Sequence, residues 1–228
     1  MPRNMSGEIK NLAYVLRRTN YGEADRILNI ITPDGKMSAI AKGARKAKSK
    51  LAGGIEMFSL VELIIHPGRG ELGVVTSARM LKYHGKILAD YERMELAAWV
   101  LKKVSLLAEG TDNPEYFKIV DQVLSELDNG TNVPLIESWV ILNLKKAAGE
   151  EINVYRDKDG EKLVANEQYS WDAIEMVFDK NRAGDFSADE IKLLRLMLST
   201  ELKIVKRVKG YEAMVPKILS LAKTLKVM

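Results

Sequence analysis

The sequence predicts an α+β protein, a small five-stranded β-barrel followed by an α-helical domain that carries a short inserted hairpin. Three observations predict it. The first third alternates apolar and polar residues in short runs split by turn-formers, the periodicity becomes helical from about residue 85, and the charge divides at the same place. Residues 1–84 carry 14 Lys and Arg against 7 Asp and Glu, whereas residues 85–228 carry 21 against 24. The expected domains are residues 1–82 and residues 83–228. A basic domain attached to a mildly acidic one points to a polyanion partner for the first.

Five β-like runs open the chain: IKNLAYVLRRT, DRILNIIT, KMSAIAK, SLVELIIH and ELGVVTSARM. Tyr21-Gly22, Pro33-Asp34-Gly35 and Pro67-Gly68-Arg69-Gly70 separate them with the chemistry of tight reversals, because Pro presets φ and Gly accepts positive φ. DGK between two alternating runs predicts a hairpin. The third and fourth runs are joined by the long connection AKGARKAKSKLAGGIEMF. Five strands so connected fit a barrel of the OB type, with an open meander as the alternative.

In ILADYERMELAAWVLKKVSLLAEG the residues Ile87, Tyr91, Met94, Ala98, Leu101 and Val104 recur at spacings of three and four, which predicts the buried face of a helix ending near Gly110. Asn113-Pro114 and Asn132-Val133-Pro134 each read as an N-cap with Pro in the first turn of a further helix. Ser187-Ala188-Asp189-Glu190 is a capping box before IKLLRLMLSTELKIVKRVKG, and YEAMVPKILSLAKTLKVM is a last helix interrupted by Pro. Between these, Asp159-Gly160 flanked by INVYR and KLVA predicts the inserted hairpin, within about residues 150–170.

Composition excludes several chemistries. The chain has no cysteine, hence no disulfide, no thiolate nucleophile and no cysteine-ligated metal. MPRNMSGEIK lacks an apolar signal core and no apolar stretch approaches the roughly 20 residues of a membrane span, so a cytoplasmic location and no membrane partner are expected. The sequons Asn4-Met5-Ser6 and Asn129-Gly130-Thr131 would matter only in a secreted protein.

The isolated motifs carry little. GRGELG, residues 68–73, matches G-x-G-x-x-G, but a strand-like run follows it where a dinucleotide loop needs a helix. YRDKDGEKLVAN, residues 155–166, lacks both the first carboxylate and the bidentate acid of a calcium loop. His66 and His84 fall in no triad or zinc spacing and read as surface or packing residues. Trp99, Trp139 and Trp171 read as core. The barrel acids Glu8, Glu23, Asp25, Asp34, Glu56, Glu62 and Glu71 show no spacing for a shared metal. No catalytic residue, metal site or cofactor is expected, and the protein is read as a non-enzyme.

AKGARKAKSK, residues 41–50, is different. It holds Lys42, Arg45, Lys46, Lys48 and Lys50 and no acid, it joins two strands of the barrel, and Arg17, Arg18 and Arg26 lie near it in the same domain. Gly43, Ala44, Ala47 and Ser49 between the charges let backbone approach a phosphate chain closely. Aromatics on the barrel are few, namely Tyr14, Tyr21, Phe58 and Tyr83, which favours tracking of the sugar-phosphate backbone by a mobile loop over base stacking.

The order of motifs, Y-G-E-A-D-R-I, then T-P-D-G-K, A-K-G-A-R-K-A-K-S, F-S-L-V-E-L and P-G-R-G, resembles the N-terminal domain of the bacterial recombination mediator family RecO, over about residues 12–80. The resemblance implies an OB-fold plus a helical domain, no turnover, binding of single- and double-stranded DNA, annealing of complementary strands and loading of the RecA recombinase. It implies RecR and the acidic C-terminal tail of single-stranded-DNA-binding protein as partners. Carried onto this sequence, it puts DNA contacts on Lys42, Arg45, Lys46, Lys48 and Lys50, while the charge argument adds Arg17, Arg18 and Arg26. Lys203, Lys206, Arg207 and Lys209 in KIVKRVKG are candidates for the acidic tail, against the alternative of a solvated last helical turn. Many members carry a four-cysteine zinc module near INVYRDKDGEKLVANEQYSW, which this cysteine-free chain cannot form. The alternatives are an RNA-binding OB protein and a non-catalytic scaffold for an acidic protein.

Overall fold

Alternation of apolar and polar side chains in the first third does produce a barrel. The computed structural model describes residues 7–68 and 72–227. The sequon at Asn4, and Arg69, Gly70 and Glu71 of the PGRG and GRGELG motifs, lie outside the described residues. Strands β1 (Ile9–Tyr21), β2 (Asp25–Thr32), β3 (Gly35–Ala41), β4 (Ser59–His66) and β5 (Gly73–Tyr83) form a closed barrel in the order β1-β2-β3-β5-β4. Neighbours are antiparallel except β3 and β5, which pair in parallel at Ala39 with Gly73 and Ile40 with Val74. This is the five-stranded OB topology expected from the sequence, and the meander is not adopted. The strand that follows GRGEL is β5, so no helix stands where a dinucleotide loop would need one.

Closure depends on the length of β1. Its first half, Ile9 to Tyr14, pairs with β4 and its second half, Tyr14 to Tyr21, with β2. An irregularity between Val15 and Arg17 marks the handover, as bulges do where barrel strands bend. Inward positions alternate cleanly: Ala13, Val15, Leu28, Ile30, Ala39, Ala41, Val61, Leu63, Ile65 and Val75 form the core. Gly54, in the connection between β3 and β4, lies so close to β5 that a Cβ there would stand 2.2 Å from the Ala78 carbonyl oxygen.

By contacts the chain forms two units, Met1–Asp128 and Asn129–Met228. A division at residue 82 follows the change in secondary structure, whereas helices α1 (Tyr91–Leu107) and α2 (Glu115–Asp128) pack on the outside of β1 and β2. The residues that draw them there are outward-facing yet apolar: Tyr14 and its cross-strand partner Ile31 are buried outside the barrel core. Lys36 Nζ also donates to the Ser105 carbonyl oxygen at 2.7 Å.

The expected apolar face is buried at Ile87, just before α1, and at Leu101 and Val104 within it, and differs in the first half of the helix. Asp90 caps it through the Arg93 N–H, so the helix begins at Tyr91, and it buries Leu96, Ala97, Val100, Leu101 and Val104. Tyr91, Met94 and Ala98 face solvent, Tyr91 at 72% exposure. The segment is apolar on two sides, and periodicity alone does not say which side meets the barrel.

In the second unit α3 (Val133–Ala147), opened by Asn132, packs against α4 (Ala188–Ser199) and α6 (Tyr211–Thr224). The capping box at Ser187 and Glu190 forms as expected. The long run after it breaks at Thr200 into α4 and the short α5 (Leu202–Val205). The inserted strands lie further along than Asp159-Gly160: β6 (Tyr169–Asp172) pairs with β7 (Val177–Lys180). Around Asp159 the side chains of Asn153 and Asp157 accept four backbone N–H groups, competing with a ladder. The pairing of INVYR with KLVA is confined to the bridge Arg156 to Lys162 and the bonds Asp157 N to Glu161 O at 2.9 Å and Leu163 N to Tyr155 O at 3.0 Å. Trp171, Phe178 and Phe186 stack edge to face inside the insert, at 5.1 and 5.4 Å.

Candidate nucleic-acid interface

The connection after β3 turns outward immediately. Ala41 still points into the core, Lys42 is exposed, and Ala44 returns to the core. Between and beyond these anchors Lys42, Arg45, Lys46, Lys48 and Lys50 are all exposed. Among the described residues none of the five has a carboxylate within ion-pairing distance. The structure therefore brings together the five cations that the sequence singled out.

The loop is built of turns. Lys46 N donates to Gly43 O at 3.1 Å and Ser49 N to Lys46 O at 2.9 Å. Three further bonds tie it to the β1–β2 reversal: Gly43 N to Asp25 Oδ1 at 2.7 Å, Arg45 N to Ala24 O at 2.8 Å, and one Arg45 guanidinium nitrogen to Gly22 O at 3.3 Å. Expected as a mobile segment, the loop is held as a shaped ridge beside that reversal. Asp25 is the residue that sequence reasoning missed as an anchor, since a lone acid in a turn gives no signal of a partner 18 residues away.

The supporting arginines separate. Arg17 is exposed and pairs in register with Asn29, on the outward side of the barrel. Arg26 is half-buried, opposite Ala41, and so sits where the basic loop leaves β3. Arg18 follows the inward parity of Leu28 and closes the barrel end, bonding Glu56 at 2.8 Å and the Ile55 carbonyl at 3.4 Å. It is a structural clamp on the far end of the loop connection, and its charge is already neutralised.

Three other barrel cations are paired too. Lys10 and Arg79 flank Glu62 at 3.2 and 3.1 Å, and the hydrogen bond from Lys10 with the Arg79 charge holds its carboxyl below the usual range. Lys36 is paired with Glu109. Among the described residues of the barrel, positive charge without an ion-pair partner is thus concentrated at the loop and at Arg17 and Arg26 beside it, with Lys82 apart from them at the end of β5, bonded to Ser125 Oγ at 3.3 Å.

The four cations expected on the helical unit differ in their surroundings. Lys203 pairs with Glu201, Lys206 is half-buried, and Arg207 and Lys209 are exposed. Lys209 lines an open groove of about 740 Å³ together with Lys192, Leu193, Leu196, Val208 and Met214.

Topology and loop together define an OB-type barrel with a basic, preshaped ridge. Residues 5–84 match the family described as Recombination protein O N terminal. The chain is 35% identical over 144 residues to the DNA repair protein RecO of Roseiflexus sp. (strain RS-1), covering 63% of this chain and 50% of that protein. It is 32% identical over 144 residues to the DNA repair protein RecO of Dehalococcoides mccartyi (strain ATCC BAA-2266 / KCTC 15142 / 195), covering 62% and 56% respectively. Against the DNA repair protein RecO of Rubrobacter xylanophilus the identity is 36% over 117 residues, covering 51% and 47%. The chain spans about half the length of the curated relatives it matches. Residues 5–84 are thus similar to the N-terminal domain of the RecO family, as the motif order implied.

Proposed function

We propose that this protein is a DNA-binding recombination mediator that binds single- and double-stranded DNA, anneals complementary strands and helps load the RecA recombinase in DNA repair. The observation that carries the reading is the ridge of five exposed, unpaired cations on a RecO-type barrel. Annealing requires two polyanions to approach, so the protein must neutralise phosphate while leaving base edges free to pair. Lys and Arg on a ridge with small residues between them suit that task. Neutralising about five phosphates gives log K a slope of about −3.5 against log salt on single strands. The chemistry involves no covalent step and no turnover.

The helical unit supplies a site for partners in this reading, RecR among them. The groove beside Lys209 has apolar walls from Leu193, Leu196, Val208 and Met214, with Lys209 and the Lys192–Asp189 pair at its rim and Glu190 beside them. Its apolar walls and Lys209 are what would take the acidic, apolar C-terminal tail of single-stranded-DNA-binding protein. The test is annealing of two complementary fluorescent oligonucleotides without nucleotide or metal. Native protein anneals them quickly, and a variant with Lys42, Arg45, Lys46, Lys48 and Lys50 changed to Ala melts normally and does not. A native protein that neither binds nor anneals DNA at low salt overturns the reading, and a preference for RNA in competition replaces it with RNA binding.

A further inference from the structure

We propose that Tyr21 is a base-stacking platform beside the basic ridge, the one place on the barrel where a single strand is held by its bases; the proposal rests on the reading of the ridge as a DNA contact. Of the four barrel aromatics, Tyr14 and Phe58 are buried at 1% and 8% exposure. Tyr83 is exposed but lies back on the chain: a Cβ added to Gly85 would stand 2.9 Å from its ring. Tyr21 is 56% exposed, and among the described residues its ring and hydroxyl have no partner.

Its position links it to the cations. Tyr21 ends β1 opposite Asp25, the residue whose carboxylate holds Gly43 of the loop, and it precedes Gly22, whose carbonyl accepts from Arg45. The ring thus leaves the same short reversal to which the ridge is bonded at three points. Gly22 has φ +53°, and a Cβ there would meet nothing within 4 Å outside its chain neighbours, so the reversal next to Tyr21 is uncovered. Arg17, Thr19 and Tyr21 alternate onto the outward side of β1, which sets Arg17 and Tyr21 about 13 Å apart along the strand.

Such an edge holds one strand by two chemistries. Cations on the ridge and Arg17 take phosphates, and the phenol ring takes the face of one base, which every nucleotide offers. Duplex keeps its bases stacked on each other and gives Tyr21 nothing. The residue therefore favours single strands, whereas the ridge treats both forms alike.

The experiment compares fluorescence anisotropy titrations of labelled oligothymidylate, an abasic strand of the same length, and duplex, each longer than about 16 nucleotides. Native protein is expected to bind oligothymidylate more tightly than the abasic strand. Tyr21→Ala should lose about tenfold in affinity for oligothymidylate and none for the abasic strand or duplex, closing the gap, while Tyr21→Phe keeps it open. The salt slope should stay the same, since no phosphate contact is removed. Equal affinity of Tyr21→Ala and native protein for oligothymidylate, or an equal loss on the abasic strand, overturns the platform and leaves the ridge standing. Native protein that binds none of the three overturns the DNA reading, and the platform with it.

Discussion

The Tyr14 hydroxyl donates to Asp121 Oδ1 at 2.6 Å, joining the outer face of β1 to helix α2. Burial first, then the hydrogen bond and charge of Asp121, push the Tyr14 phenol far above its ordinary range, so it stays a neutral donor at every physiological pH. Phe117 packs against its ring at 5.6 Å. Tyr14→Phe keeps the ring and strands the carboxylate. We expect a loss of about 2 kcal/mol in urea unfolding, with α1 and α2 loosening before the barrel in hydrogen exchange.

His84 gives the first unit a pH dependence. Its Nε2 lies 3.4 Å from the Tyr14 hydroxyl and its Nδ1 is buried without a partner. Desolvation, then the Lys82 charge, lower its pKa to about 4. The unfolded chain, with an ordinary value of about 6.5, binds the proton first. Stability is therefore full above pH 6.5 and is lost as pH falls from about 6.5 towards 4, by up to ~3 kcal/mol. Thermal melts across that window should show the loss, and His84→Leu should flatten it.

Glu190 works in a lower window. Burial disfavours its charge, but hydrogen bonds from Lys217 and Ser187 outweigh this and bring its pKa to about 2. Its contribution is present above about pH 4.3 and is lost as pH falls from there towards 2. Melts of Lys217→Met should show a smaller acid-sensitive step, since the bonds from Ser187 remain, while keeping the one from His84.

Two neighbouring cations should separate in their effects. Arg18→Ala removes the bond to Glu56 and the Ile55 carbonyl, and should cost about 1 kcal/mol of stability with little change in the salt slope of DNA binding. Lys46→Ala should leave the melt within about 0.5 kcal/mol and reduce that slope by about 0.7. Titrations at several salt concentrations beside calorimetric melts check both.

Gly54→Ala would drive a methyl group into the Ala78 backbone, which no side-chain rotation relieves. A loss of about 3 kcal/mol is expected, read by denaturant unfolding, together with weaker oligonucleotide binding because the loop's far end is displaced.

The barrel and its basic ridge were legible because period-two patterning and one-signed charge are local signals. Tyr14 shows where locality ends: its partner, Asp121, is 107 residues away, so the residue that attaches two helices to the barrel reads as one more strand aromatic. The same distance effect hid Asp25 as the anchor of the loop and made Arg18 look like a free cation. In α1 Leu101 and Val104 are buried as expected, while Tyr91, Met94 and Ala98 face solvent and Leu96, Ala97 and Val100 are buried instead, because the segment is apolar on two sides. The reversal at Asp159-Gly160 carries only a short pairing, and the β6–β7 hairpin was missed because its reversal puts Met176 at φ 53°, a conformation usually given to Gly, with Asp172 bracing it by accepting from Ile174 and Glu175.

Closure of the five strands has a consequence for assembly. A barrel without a free edge presents no row of unpaired amides to another chain. In the insert, Phe186 bridges to Tyr169 of β6 and Asp157 bridges to Phe178 of β7, so both outer sides of that small sheet are partly occupied too. Copies of this domain brought together therefore meet through side chains and not by adding strand to strand.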